Sequence, residues 1–84
     1  MPSPSDDSPV HTLVVKLHHR PGAFDRLVGV LRRQGCVVTT LAFEPSGEPG
    51  LDDVTVAFRS EHAERVVKQA QRLVDVVDVA AFTR

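Results

Sequence analysis

The sequence predicts an α+β fold in the order β-α-β-β-α-β: a four-stranded antiparallel sheet with two helices on one face. Three observations predict it. Four stretches alternate in the period-two manner of strands. Two stretches carry apolar residues at helical spacing. A dense turn signal, PSGEPG, joins the two middle strands.

The elements follow in order. Val10 to Leu17, VHTLVVKL, puts Leu13, Val15 and Leu17 on one face and Thr12, Val14 and Lys16 on the other. Pro21-Gly22 stops this strand. From Ala23 to Gln34 the period changes, with Phe24, Leu27, Val28 and Leu31 at i, i+3, i+4 and i+7. Pro21 suits a helix start, where a missing N–H costs nothing. Asp25 in the first turn and Arg32 and Arg33 in the last complement the helix dipole. Gly35 stands where a left-handed residue ends a helix. Cys36 to Glu44, CVVTTLAFE, and Leu51 to Arg59 are the next strands, joined as an antiparallel hairpin. Ser60 is a candidate cap for the second helix, whose stripe is Ala63, Val66, Val67, Ala70, Leu73 and Val74. Val76 to Phe82 is the last strand, with Asp78 outward. Right-handed crossovers put both helices on one side, the split-βαβ or ferredoxin-like arrangement.

The alternation also assigns the sheet faces. The helices are expected to cover Leu13, Val15, Leu17, Leu41, Phe43, Val54, Val56 and Phe58. The opposite face would carry Thr12, Val14, Lys16, Val38, Thr40, Ala42, Thr55, Ala57, Ala80 and Phe82. A solvated antiparallel face usually reads more polar, so this one suggests a partner surface. The plainer alternative is that β-propensity alone favours Thr and Val there.

Composition bounds the function. The chain has 84 residues, enough for one small domain, with marginal stability expected at that size. A single cysteine, Cys36, excludes an internal disulfide and fits a reducing, cytoplasmic setting. Self-association is then the expected aid to stability. The formal net charge of −1 gives no pull toward nucleic acid or an anionic membrane. No apolar run reaches the roughly 20 residues that span a bilayer. Residues 1–9, MPSPSDDSP, read as a disordered tail and 10–84 as the domain.

The stretch HHRPGAF, His18 to Phe24, is the candidate site. It hands the first strand to the first helix, where exposed amides and a partial positive charge favour an anion such as a carboxylate. An ordinary Pro-Gly turn explains the same residues on physical grounds alone. Other chemistries find little support. His18 and His19 are adjacent in a strand and point apart, and no Cys-x-x-Cys is present, so no metal site is expected. Asp52 and Asp53 are consecutive and also point apart. Cys36 follows a helix C-terminus, which gives a thiolate no help, and reads as a small, partly buried apolar residue. The few aromatics, Phe24, Phe43, Phe58 and Phe82, do not build an RNA-binding face.

Three segments resemble the ACT domain of acetolactate synthase small regulatory subunits: HTLVVKLHHRPGAFDRLVGVLRRQG, TTLAFEPSGEPGLDDVTVAF and VVKQAQRLVDVVDV. The likeness runs from Val10 to Phe82. The Pro-Gly turn is shared by many ACT domains, and the third segment points to this subfamily. The resemblance implies a non-catalytic subunit with no cofactor of its own. Its partner is the catalytic subunit of acetolactate synthase, which uses thiamine diphosphate, FAD and magnesium. It implies a homodimer through the edge of the second strand. It also implies a branched-chain amino acid effector held between His19, Arg20, Pro21, Gly22, Ala23 and Phe24 of one chain and Val37 and Val38 of the other. His19 and Arg20 would offer cationic contacts, Gly22 and Ala23 amides, and the valines an apolar wall.

Two departures from the family matter. Valine-sensitive members have asparagine where this chain has His19 and Val37. Asparagine offers both donor and acceptor atoms to an amino acid, and valine offers neither. Each missing partner costs about 1–3 kcal/mol, so the valine response is expected to be weak or lost. The sequence stops after one ACT domain and resembles the short family type. The alternative is a free-standing ACT sensor or interaction module acting on a different enzyme. A small phosphatase of this topology would need an asparagine near the first turn, and the chain has none.

Overall fold

The computed structural model describes residues 9–83; the expected tail, 1–9, lies outside the described residues except for Pro9. The elements are β1 (Val10–His18), α1 (Ala23–Arg33), β2 (Val37–Pro45), β3 (Leu51–Arg59), α2 (Ala63–Gln71) and β4 (Val76–Thr83). The sheet is antiparallel with strand order β2-β3-β1-β4. The predicted ferredoxin-like βαββαβ fold is the observed one.

The core lies where the alternation puts it. Leu13, Val15 and Leu17 of β1 and Val54, Val56 and Phe58 of β3 are buried. They meet Leu27 and Leu31 of α1 and Val66 and Ala70 of α2. Val30 and Ala23 of α1 are buried as well, while Phe24 is only partly so. The end of α1 closes as a complete Schellman motif. Gly35, at φ 70°, donates its N–H to the Arg32 carbonyl, and Cys36 donates to that of Leu31.

The helices leave the edge strand β2 largely uncovered. Leu41 pairs with Val56 and Phe43 with Val54, so both lie on the helix-covered face as expected. Yet every residue of β2 is exposed, Leu41 and Phe43 included. Alternation fixes which face a side chain takes; it does not say whether a helix lies above it.

Val38 departs from expectation because β2 carries a bulge. Val38 pairs with Phe58 and Thr40 with Ala57, leaving Thr39 as the extra residue. Val38 therefore stands with the helix-covered face. Thr39 donates its hydroxyl to the Ala57 carbonyl at 3.1 Å.

The register orders the open face into rows across the sheet. Thr40, Ala57, Thr12 and Phe82 form one row, and Ala42, Thr55, Val14 and Ala80 the next. The third row is charged: Glu44, Asp53, Lys16 and Asp78. Lys16 also pairs with Glu48 at 3.2 Å.

The second helix starts and ends differently from the reading of its sequence. Ser60 is not its cap. Its hydroxyl accepts the His62 N–H at 3.0 Å, a local turn that sets up His62 as the N-cap. The helix stops at Gln71, so Leu73 and Val74 lie beyond it; Leu73 still packs against the core, and Val74 does not. Val74 is 78% exposed and carries no core contact.

These burials predict a contrast. Leu13→Ala should cost about 2–5 kcal/mol, and Val74→Ala less than about 0.5 kcal/mol. Urea unfolding midpoints check both.

Candidate functional site

The turn between β1 and α1 is a tight one with a defined chemistry. The Ala23 N–H donates to the Arg20 carbonyl at 3.2 Å, and Gly22 sits at φ 81°, ψ −9°. Those angles and the Pro-Gly pair make a type II turn, which requires positive φ at its third position. Pro21 is therefore the second residue of the turn. Gly22, not Pro21, borders the helix, as its N-cap. No side chain caps α1. A Cβ added to Gly22 would stand 2.8 Å from Nη1 of Arg26, the movable end of a long side chain, so it is the positive φ that favours glycine here.

Two buried carboxylates pin this turn from opposite sides. Asp75, in the turn between α2 and β4, is 1% exposed. Its Oδ2 accepts from Arg26 Nε at 2.7 Å and Nη2 at 2.6 Å. Its Oδ1 accepts from Arg20 Nη1 at 3.4 Å, and its carbonyl accepts the His18 N–H at 2.8 Å. Asp52 of β3 takes the other side. Its Oδ2 accepts from His19 Nδ1 at 2.6 Å, while the His19 N–H donates to the Gly50 carbonyl at 2.8 Å. A carboxylate only accepts, so Nδ1 of His19 carries the proton. Arg20 and Arg26 are each about half exposed and His19 is largely exposed.

The structure brings some expected site residues together and holds others apart. His19, Arg20, Pro21, Gly22, Ala23 and Phe24 form one continuous corner. Within it, the Ala23 amide is already committed to the turn and its side chain is buried. Phe24 meets Phe43 of β2 edge-on, with ring centroids 5.1 Å apart. Val37 and Val38 are exposed at the start of β2. The sequence reading missed Asp75, Asp52 and Arg26. Arg26 lies one helical turn after Gly22, and that spacing was the available signal.

Other chemistry is sparse. Among the described residues no three His, Cys, Asp or Glu side chains gather as metal ligands. Asp52 is buried while its neighbour Asp53 faces the open side, opposite Lys16 in the strand register. Burial pushes the Cys36 thiol above its ordinary range, only partly offset by a backbone hydrogen bond, so it is a poor nucleophile. The larger surface groove lies at the far end of the molecule, between His11 and the polar side of α2, away from the turn. No helix among the described residues is long and apolar enough to cross a membrane.

Two substitutions test the corner. Gly22→Ala should cost about 1–2 kcal/mol for a left-handed L-residue. Asp75→Ala leaves two half-hydrated arginines unpaired and should cost about 1–3 kcal/mol. Chemical unfolding measures both.

Comparison with known proteins agrees with this architecture. No family model matches the chain. A probable acetolactate synthase small subunit of Methanothermobacter thermautotrophicus is 28% identical over 71 residues, which is 82% of this chain and 42% of that protein. The crystal structure of the acetolactate synthase small subunit from Thermotoga maritima superposes with a TM-score of 0.78 at 26% identity, over 86% of this chain and 46% of that one. The ACT domain of GTP pyrophosphokinase from Chlorobium tepidum superposes with a TM-score of 0.74 at 9% identity, over 89% of this chain and 99% of that one. The chain thus spans less than half of the small subunits it matches. Its fold is that of ACT domains, and by sequence it is similar to acetolactate synthase small subunits.

Proposed function

We propose that this chain is a non-catalytic regulatory subunit that pairs with a second copy along β2 and activates an acetolactate synthase catalytic subunit. The observation that carries the reading is the state of β2. It is an edge strand with Val37, Val38, Leu41 and Phe43 all exposed. Fully burying each such side chain is worth about 1.5–3 kcal/mol, and an unpaired edge is a template for another strand. A second copy, added antiparallel, supplies both the missing strand pairing and the missing cover. The likeness to small subunits supplies the enzyme.

An effector would then sit between the β1–α1 corner of one chain and Val37 and Val38 of the other. The amides at the start of α1, with Arg20 beside them, suit a carboxylate. An ammonium group fares worse. The nearby carboxylates, Asp52 and Asp75, are already bonded to His19 and to Arg20 and Arg26. Val37 adds no polar atom. The valine response is accordingly weak or absent.

Acetolactate formation by the catalytic subunit of the same organism, with and without this chain and then with valine, tests the reading. The expected result is stimulation that millimolar valine does not reverse. Absence of stimulation would overturn the activator role, and tight valine inhibition would overturn the account of the corner.

A further inference from the structure

The open face of the sheet is the largest surface that this reading leaves unused. Its two inner rows hold no charge and only one large side chain, Phe82, which is 59% exposed. The remaining positions are Ala, Thr and one Val, which allow two sheets close approach with little rotamer entropy lost. The third row is acidic around Lys16.

We infer that this face binds the same face of a second copy, so that two β2-joined pairs stack into a four-chain assembly. The inference rests on the β2 pairing proposed above, because of area. Strands of nine residues rising ~3.4 Å each and spaced ~4.8 Å apart give one domain a face of about 600 Å². A standard stable interface buries about 800 Å² per partner. One domain falls short. Two domains joined through β2 present about 1,200 Å² in one continuous sheet and exceed it.

The charged row sets the orientation. Stacking with the strands of facing sheets running the same way would lay acidic row on acidic row. A two-fold axis between the sheets and perpendicular to the strands reverses the order of rows. It sends the two acidic rows to opposite ends and lays the uncharged rows on each other. Phe82 of each chain then meets the Ala80 row of its mate, a large side chain against a small one.

Sedimentation velocity on the full chain tests this, with Ala80→Arg as the variant and circular dichroism to verify its fold. The wild type should sediment as four chains of 9.2 kDa, and Ala80→Arg as two. A wild type of two chains overturns the stack and leaves the β2 pairing standing. A wild type of one chain overturns both. A four-chain species unchanged by Ala80→Arg also overturns the stack. So does a two-chain wild type whose stimulation of acetolactate synthase is lost in Ala80→Arg, which would assign the face to the enzyme.

Discussion

The buried carboxylate of Asp75 holds the β1–α1 corner of this molecule together. A carboxylate with almost no contact with water is costly unless it is paired and hydrogen-bonded. Here Arg26 gives it two short bonds and Arg20 a longer one. Both guanidinium groups keep part of their surface in water, which moderates their own desolvation. The backbone carbonyl of Asp75 meanwhile takes the N–H of His18. One residue thus ties the α2–β4 turn to the end of β1 and to the first turn of α1. Asp52 and Gly50 do the same from the β3 side through His19. The Pro-Gly corner is held from the start of β3 on one side and from the turn before β4 on the other. That rigidity suits a site that reads a small ligand by its backbone amides.

The opposite property marks β2. The two short helices lie over the middle of the sheet and leave one of its two edge strands, β2, exposed along its whole length. Its bulge places Val38 beside Phe58, adding a third apolar residue to Leu41 and Phe43 on the helix side. Phe24 of α1 reaches Phe43 from the corner. The pinned corner and the uncovered strand are therefore neighbours. Under the proposed pairing along β2, a second copy would lie beside the corner, and assembly and ligand binding would be coupled by direct contact.

Much of this was legible in the sequence, and the exceptions have physical reasons. Strand alternation identified both faces of β1 and β3 because each strand has one face buried against the helices. It failed at Val38, since a bulge shifts parity and leaves no mark in a run such as VVTT. It overstated the burial of Leu41 and Phe43, because period reports orientation and not cover. The apolar stripe of α2 extends in the sequence to Val74, one residue beyond Leu73, the last of it to pack on the core. The helix stops at Gln71, and the side chain that turns inward is Asp75. A lone aspartate in VDVVDV reads as solvated. Only Arg26, one turn from Gly22, hinted at a buried acceptor.

The proposed regulatory role depends most on β2 being paired in solution. Hydrogen exchange of the full chain, read by mass spectrometry across Val37–Pro45, tests that directly. Pairing predicts that the β2 amides exchange slowly at high protein concentration, approaching the protection of β1, and faster on dilution. Exchange at the rate of an unpaired edge at every concentration would contradict it.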